Sequence, residues 1–133
     1  MDPTEFILPQ KVIDAIWLIN HGDYFAAHEE LEFAWREEPG SIRELYQGLL
    51  LVSVMNYHTA RGNHKGAARL LTRSINKLFP FQDFHVMIDV HTLVHTLQKL
   101  DQMHSESTPT KELAQPLPII MIPLVPSSGS LFD

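Results

Sequence analysis

From Gln10 to Asn20 the apolar residues fall at Val12, Ile13, Ala15, Ile16 and Ile19, the three-and-four spacing of a helix with one buried face. Gly22 ends this helix as a left-handed cap, and Asp23 is placed to start the next by accepting backbone N–H bonds. A second helix is predicted over 24–37, with Phe25, Ala27, His28, Leu31 and Trp35 on its apolar face. Glu38-Pro39-Gly40 stops it, because the residue before proline is pushed out of helical geometry. Ser41 and Glu44 have the spacing of a capping box for a long third helix over 42–60. Arg61-Gly62-Asn63 closes that helix. A fourth, over 64–79, turns Ala67, Leu70, Leu71, Ile75 and Leu78 inward and ends at Pro80. Residues 80–88 read as an irregular apolar loop. Asp89 caps a fifth helix to about Met103, striped by Val90, Leu93, Val94, Leu97 and Leu100. At the other end, Asp2, Pro3 and Glu5 offer a cap-like start, with Pro9 as a first-turn residue.

The pattern changes at Ser105. Beyond it Ser, Thr and Pro dominate, which divides a helical part, 1–104, from a C-terminal arm, 105–133. Residues 116–126, PLPIIMIPLVP, are strongly apolar yet broken by four prolines, so they favour an extended path over a helix. Such a segment left in water is an aggregation hazard, so it is expected to lie against the bundle of its own chain or of a neighbour. The second possibility makes a homo-oligomer through the arm a candidate assembly. The expected fold is all-α: a five-helix bundle of antiparallel helical hairpins with an extended Pro-rich C-terminal arm. A weak internal repeat supports the hairpins. Gly22-Asp23, Ala27 and Leu31 recur as Gly62-Asn63, Ala67 and Leu71, a shift of 40 residues.

Composition narrows the function. The 133 residues include no cysteine, which removes disulfide frameworks, thiolate metal sites and cysteine nucleophiles and fits a cytoplasmic location. A formal net charge of −6 argues against broad binding to nucleic acid or anionic membrane. No basic leader and no run of 18 apolar residues is present, so neither a signal peptide nor a spanning helix is expected. Lys65, Arg69, Arg73 and Lys77 form a basic ridge, expected to be a solvated face paired with the acidic second helix.

The candidate chemistry lies on the second and third helices. His28 and Glu32 are four apart and share a face, with Trp35 one turn further on. Gln47 and His58 fall on one stripe of the third helix. Antiparallel packing would carry His28 and Glu32 toward His58, and Trp35 toward Gln47. One reading is a buried hydrogen-bond network that fixes packing. Another is a ligand set of His28, Glu32 and His58 for a divalent metal, zinc or iron. A third is an acid–base pair at the same residues, with Gln47 orienting substrate or water. The order His28-Glu29-x-x-Glu32 lacks the second histidine of the zinc-protease motif. His91 and His95 are also four apart and read as surface or half-buried side chains. Trp17, Phe25 and Tyr46 read as core.

Gly22-Asp23-Tyr24, Ala27-His28-Glu29, Leu31-Glu32 and Trp35-Arg36 together resemble the signature of the "domain of unknown function 309" family. Gln47-Gly48-Leu49, His58, Gly62-Asn63 and Gly66-Ala67 continue the likeness, as do Asp89-Val90 and the apolar arm. The resemblance implies a small, soluble, all-helical protein of a mostly prokaryotic family with no established biochemical activity. Its motif positions here are His28, Glu29, Glu32, Trp35, Gln47 and His58. The leading expectation is a non-enzymatic binding or structural protein with a polar cluster between the second and third helices. The alternative is a metal-dependent or acid–base, hydrolase-like enzyme using His28, Glu32 and His58.

Overall fold

A computed structural model describes residues 7–106 and 116–126. The cap-like start at Asp2–Glu5 lies outside them. Five helices follow in order: α1 (Gln10–Asn20), α2 (Tyr24–Glu37), α3 (Arg43–Ala60), α4 (His64–Leu78) and α5 (Val90–Glu106). A short 3₁₀ turn, Phe79–Phe81, lies between the last two. No strand forms among the described residues, and the chain is an all-α bundle.

Two turns of the same construction set the helix directions. At the end of α1, Gly22 has φ +89°, its N–H bonds Ile19 O at 3.2 Å, and the Asp23 N–H bonds Leu18 O at 2.9 Å. These two bonds satisfy the last carbonyls of the helix and require a left-handed residue, which glycine adopts without a Cβ penalty. Asp23 then accepts the Ala26 N–H at 3.2 Å and opens α2. Forty residues later the construction recurs. Gly62 has φ +77°, its N–H reaches Thr59 O, Asn63 N–H reaches His58 O, and Asn63 Oδ1 accepts from Gly66 at 3.0 Å. The sequence repeat is therefore a repeated turn, and Ala27 and Ala67 are both fully buried beyond it.

Each helix packs on the next in the chain. Arg43 Nε donates to Trp35 O, and Ser53 Oγ donates to Tyr24 O at 2.8 Å. The start of α3 thus meets the end of α2, and its middle meets the start of α2. On its other side α3 meets α4 closely enough that a Cβ built on Gly48 would come within 2.6 Å of Leu78 Cδ2. The core runs through Ile16, Ile19, Leu31, Leu45, Tyr46, Leu49, Met55, Leu71, Leu78, Leu93 and Leu97. Each such side chain contributes about 1.5–3 kcal/mol on burial.

Residues 116–126 lie against this bundle, with Leu117, Ile120 and Ile122 buried in its core. Their backbone is held on both edges. On one, Asn56 donates Nδ2–H to Ile120 O and accepts the Ile120 N–H, both at 2.8 Å. Asn20 does the same to Ile122, at 3.0 and 2.7 Å. On the other edge, Asp89 N–H bonds Pro123 O and Val125 N–H bonds Met87 O, flanking an antiparallel bridge between Ile88 and Leu124. Met87 carries φ +70°, a strained setting for a side-chain-bearing residue, one position before that bridge.

Several expectations are corrected. Trp17 and Phe25 are not core: they are 58% and 64% exposed. Hydrophobicity placed them inward, but Ala15, Ile16 and Ile19 already fill the inner face of α1, and Ala27, Leu31 and Ala34 that of α2. The Ser41–Glu44 capping box does not form. The chain turns at 38–42, with Gly40 N–H on Glu38 Oε2, and Glu44 is drawn instead to Lys77. The basic ridge does not pair with α2, since Lys77 alone of the four makes an ion pair among the described residues. Tyr46 is core as expected, and α5 runs one turn beyond Met103.

Candidate functional site

The six candidate residues do not converge. His28 and Glu32 share a face of α2, with His28 Nε2 3.9 Å from Glu32 Oε2, and both are partly exposed. Glu32 also pairs with Arg36, 3.1 Å away and one turn on. The result is a ladder of charge along the helix surface, with no desolvated carboxylate in it. Glu29 is fully at the surface.

His58 lies elsewhere. Ser53 stands opposite Tyr24, so α3 continues past the start of α2 before reaching His58. At 1.5 Å per residue, His28 and His58 are separated by roughly 13 Å along the helix axes. His58 belongs to the second turn instead. Asn63 Oδ1 is committed to capping α4, so its Nδ2 points at His58 Nδ1, 3.1 Å away, and that ring nitrogen must accept. Among the described residues no three His, Cys, Asp or Glu side chains are grouped to hold a metal ion. The expected triad of His28, Glu32 and His58 is not assembled.

Trp35 and Gln47 complete the set without joining it. The Arg43 guanidinium lies 4.4 Å from the Trp35 ring centroid, a cation–π contact that ties α3 to α2. Trp35 Nε1 is buried without a hydrogen-bond partner among the described residues. Gln47 is half-buried on α3. Tyr46 beside it is fully buried, its hydroxyl without a partner among the described residues, and burial, then the Glu38 charge, pushes its pKa up to about 12. At the head of α5, hydrogen bonds from the Thr92 side chain and backbone hold Asp89 below its ordinary value. His91 and His95 are exposed.

Sequence reasoning passed over the surface between α1 and α2. Two shallow clefts lie along it. One, of about 380 Å³, is lined by Asp14, Trp17, Leu18 and Glu30. The other, of about 340 Å³, is lined by Pro9, Gln10, Lys11, Phe33, Ala34, Glu37 and Glu38. Trp17 stacks on His21 at 3.8 Å between ring centroids, and Phe33 is 50% exposed. Asn20 and Asn56, which hold the arm, were also missed. The signal for Asn56 was present: a lone amide in the apolar run of α3, beside an apolar arm whose backbone needs partners.

Fold and surface together define a small all-α bundle whose signature residues do not meet in one site. Residues 12–70 match the family described as "Domain of unknown function (DUF309)". The match takes in both Gly-Asx turns and all six motif positions, whereas Asp89-Val90 and the arm lie beyond it. The chain is also similar to "Uncharacterized protein YpuF" of Bacillus subtilis (strain 168), 44% identical over 57 residues, or 42% of this chain. That match spans 33% of the length of the relative. No solved structure matches.

Proposed function

We propose that this chain is a non-enzymatic helical binding module of the cytosol whose docking surface is the α1–α2 face. One observation carries the reading: Trp17 and Phe33, 58% and 50% exposed, line two clefts between α1 and α2. Large aromatics in a group on a surface mark sites of interaction, since burying each one on a partner releases as much apolar area as a core residue does. Asp14, Glu30, Glu37 and Glu38 rim the clefts and favour a cationic partner. An acid–base or metal reading would need His28, Glu32 and His58 to meet, and the α2–α3 register holds them apart.

Site-directed photocrosslinking tests this. A photoreactive residue at Trp17 or Phe33 is expected to give discrete protein adducts in cells, and one at Lys99 on the exposed side of α5 none. Equal labelling from all three positions would overturn the reading.

A further inference from the structure

The outer stripes of α2 and α4 share one period. On α2, Phe25, Glu29, Phe33 and Glu37 recur every four residues and all are exposed. On α4, Lys65, Arg69 and Arg73 recur in the same way, also exposed, and Lys77 continues the row. No acidic residue interrupts α4. Among the described residues Glu29, Glu37, Lys65, Arg69 and Arg73 make no ion pair. Four residues of helix rise about 6 Å, so the two stripes present matching positions over roughly 18 Å. Contacts within the chain show what the α2 stripe accepts. Lys11 Nζ lies 4.7 Å from the Phe33 ring centroid and 3.3 Å from Glu30 Oε2, so ring and carboxylate hold one cation together.

We propose that the α2 stripe of one copy docks on the α4 ridge of a second copy, its carboxylates and phenylalanine rings against the cations of the ridge. The proposal rests on the reading of the α1–α2 face as a docking surface and names its occupant. The two patches differ, so the contact is heterologous, and association continues past two copies unless the geometry closes a ring. Net charge of −6 opposes assembly at long range, so the contact depends on how charge is distributed between α2 and α4. Exposed pairs are individually weak and screened by salt, which makes the association reversible.

Charge exchange tests it by sedimentation velocity of the full chain across a micromolar to near-millimolar series. The wild type is expected to sediment faster as concentration rises. One variant carries Arg69→Glu and Arg73→Glu, the other Glu29→Lys and Glu37→Lys. Each alone is expected to associate about tenfold more weakly or worse, because like charges then face each other. An equimolar mixture of the two is expected to recover association, since the acidic α4 of one now fits the basic α2 of the other. A wild type that stays monomeric throughout would overturn the proposal, as would variants that associate like it or a mixture that recovers nothing. A monomer that still crosslinks to other proteins from Trp17 would remove the second copy as occupant and leave the docking face standing.

Discussion

Asn56 does more for this fold than its size suggests. Its amide satisfies both backbone groups of Ile120 in a fully buried setting. Asn56→Ala would leave a buried N–H and C=O without partners, which costs about 1–3 kcal/mol for each group left unpaired. Urea denaturation is expected to show a loss of that order, and Asn56→Asp a loss as well, because a carboxylate still accepts the Ile120 N–H but cannot donate to Ile120 O and buries a charge beside it. The same distinction explains what was readable in the sequence at this scale. Residue type showed that Asn56 was out of place in an apolar helix, but not that its partner lay 64 residues away. Trp17 and Phe25 show the converse. Their apolar character was read correctly, but a helix with a full inner face has no room for another large ring, and fullness is a property of the packed bundle.

The helices themselves were legible because each is punctuated locally. Gly22-Asp23 and Gly62-Asn63 carry both the stop of one helix and the start of the next in two residues, so no distant contact is needed to read them. The two turns are not equal in consequence. Asp23→Ala removes one cap, and thermal melts are expected to show a loss of about 1 kcal/mol. Asn63→Ala removes the cap and also releases His58 Nδ1, so it is expected to cost at least as much and to change the tautomer signals of His58 in nitrogen NMR, with those of His28 unchanged. The capping box at Ser41 was misread for a reason of the same kind. Glu44 had two possible partners, one three residues back and one on α4, and local spacing cannot reveal the second. The candidate site shows the same limit of local spacing. The spacing of His28 and Glu32 was right, but whether His58 met them depended on how far α3 overruns α2.

Over the whole molecule, the arm and the core respond differently to solution conditions. Tyr46 is fully buried near the start of α3, with its pKa pushed up to about 12 from an ordinary 10.0. In the unfolded chain the phenol ionises near its ordinary value, while the folded chain keeps its proton. The folded state therefore binds more protons between these values, and stability falls as pH rises from about 10 through about 12. Denaturation followed across this range is expected to show that loss, and Tyr46→Phe to abolish the part due to the phenol while keeping the packing. The hydrogen bonds that hold the arm to Asn20 and Asn56 involve no titrating group, so the arm is expected to stay docked until the core itself gives way.

The paired asparagines also give the prolines of the arm a second role. Asn56 and Asn20 each require an N–H, at positions two apart, now supplied by Ile120 and Ile122. Proline has none. Shift the strand by one residue and Pro123 faces Asn20; shift it by two the other way and Pro118 faces Asn56. Each misalignment leaves a carboxamide oxygen with nothing to accept. A shift of one in that second direction turns Ile120 and Ile122 out of the core instead. The residues that keep the arm from becoming a helix therefore also exclude these neighbouring alignments, on a surface that pairs with main chain as well as burying side chains.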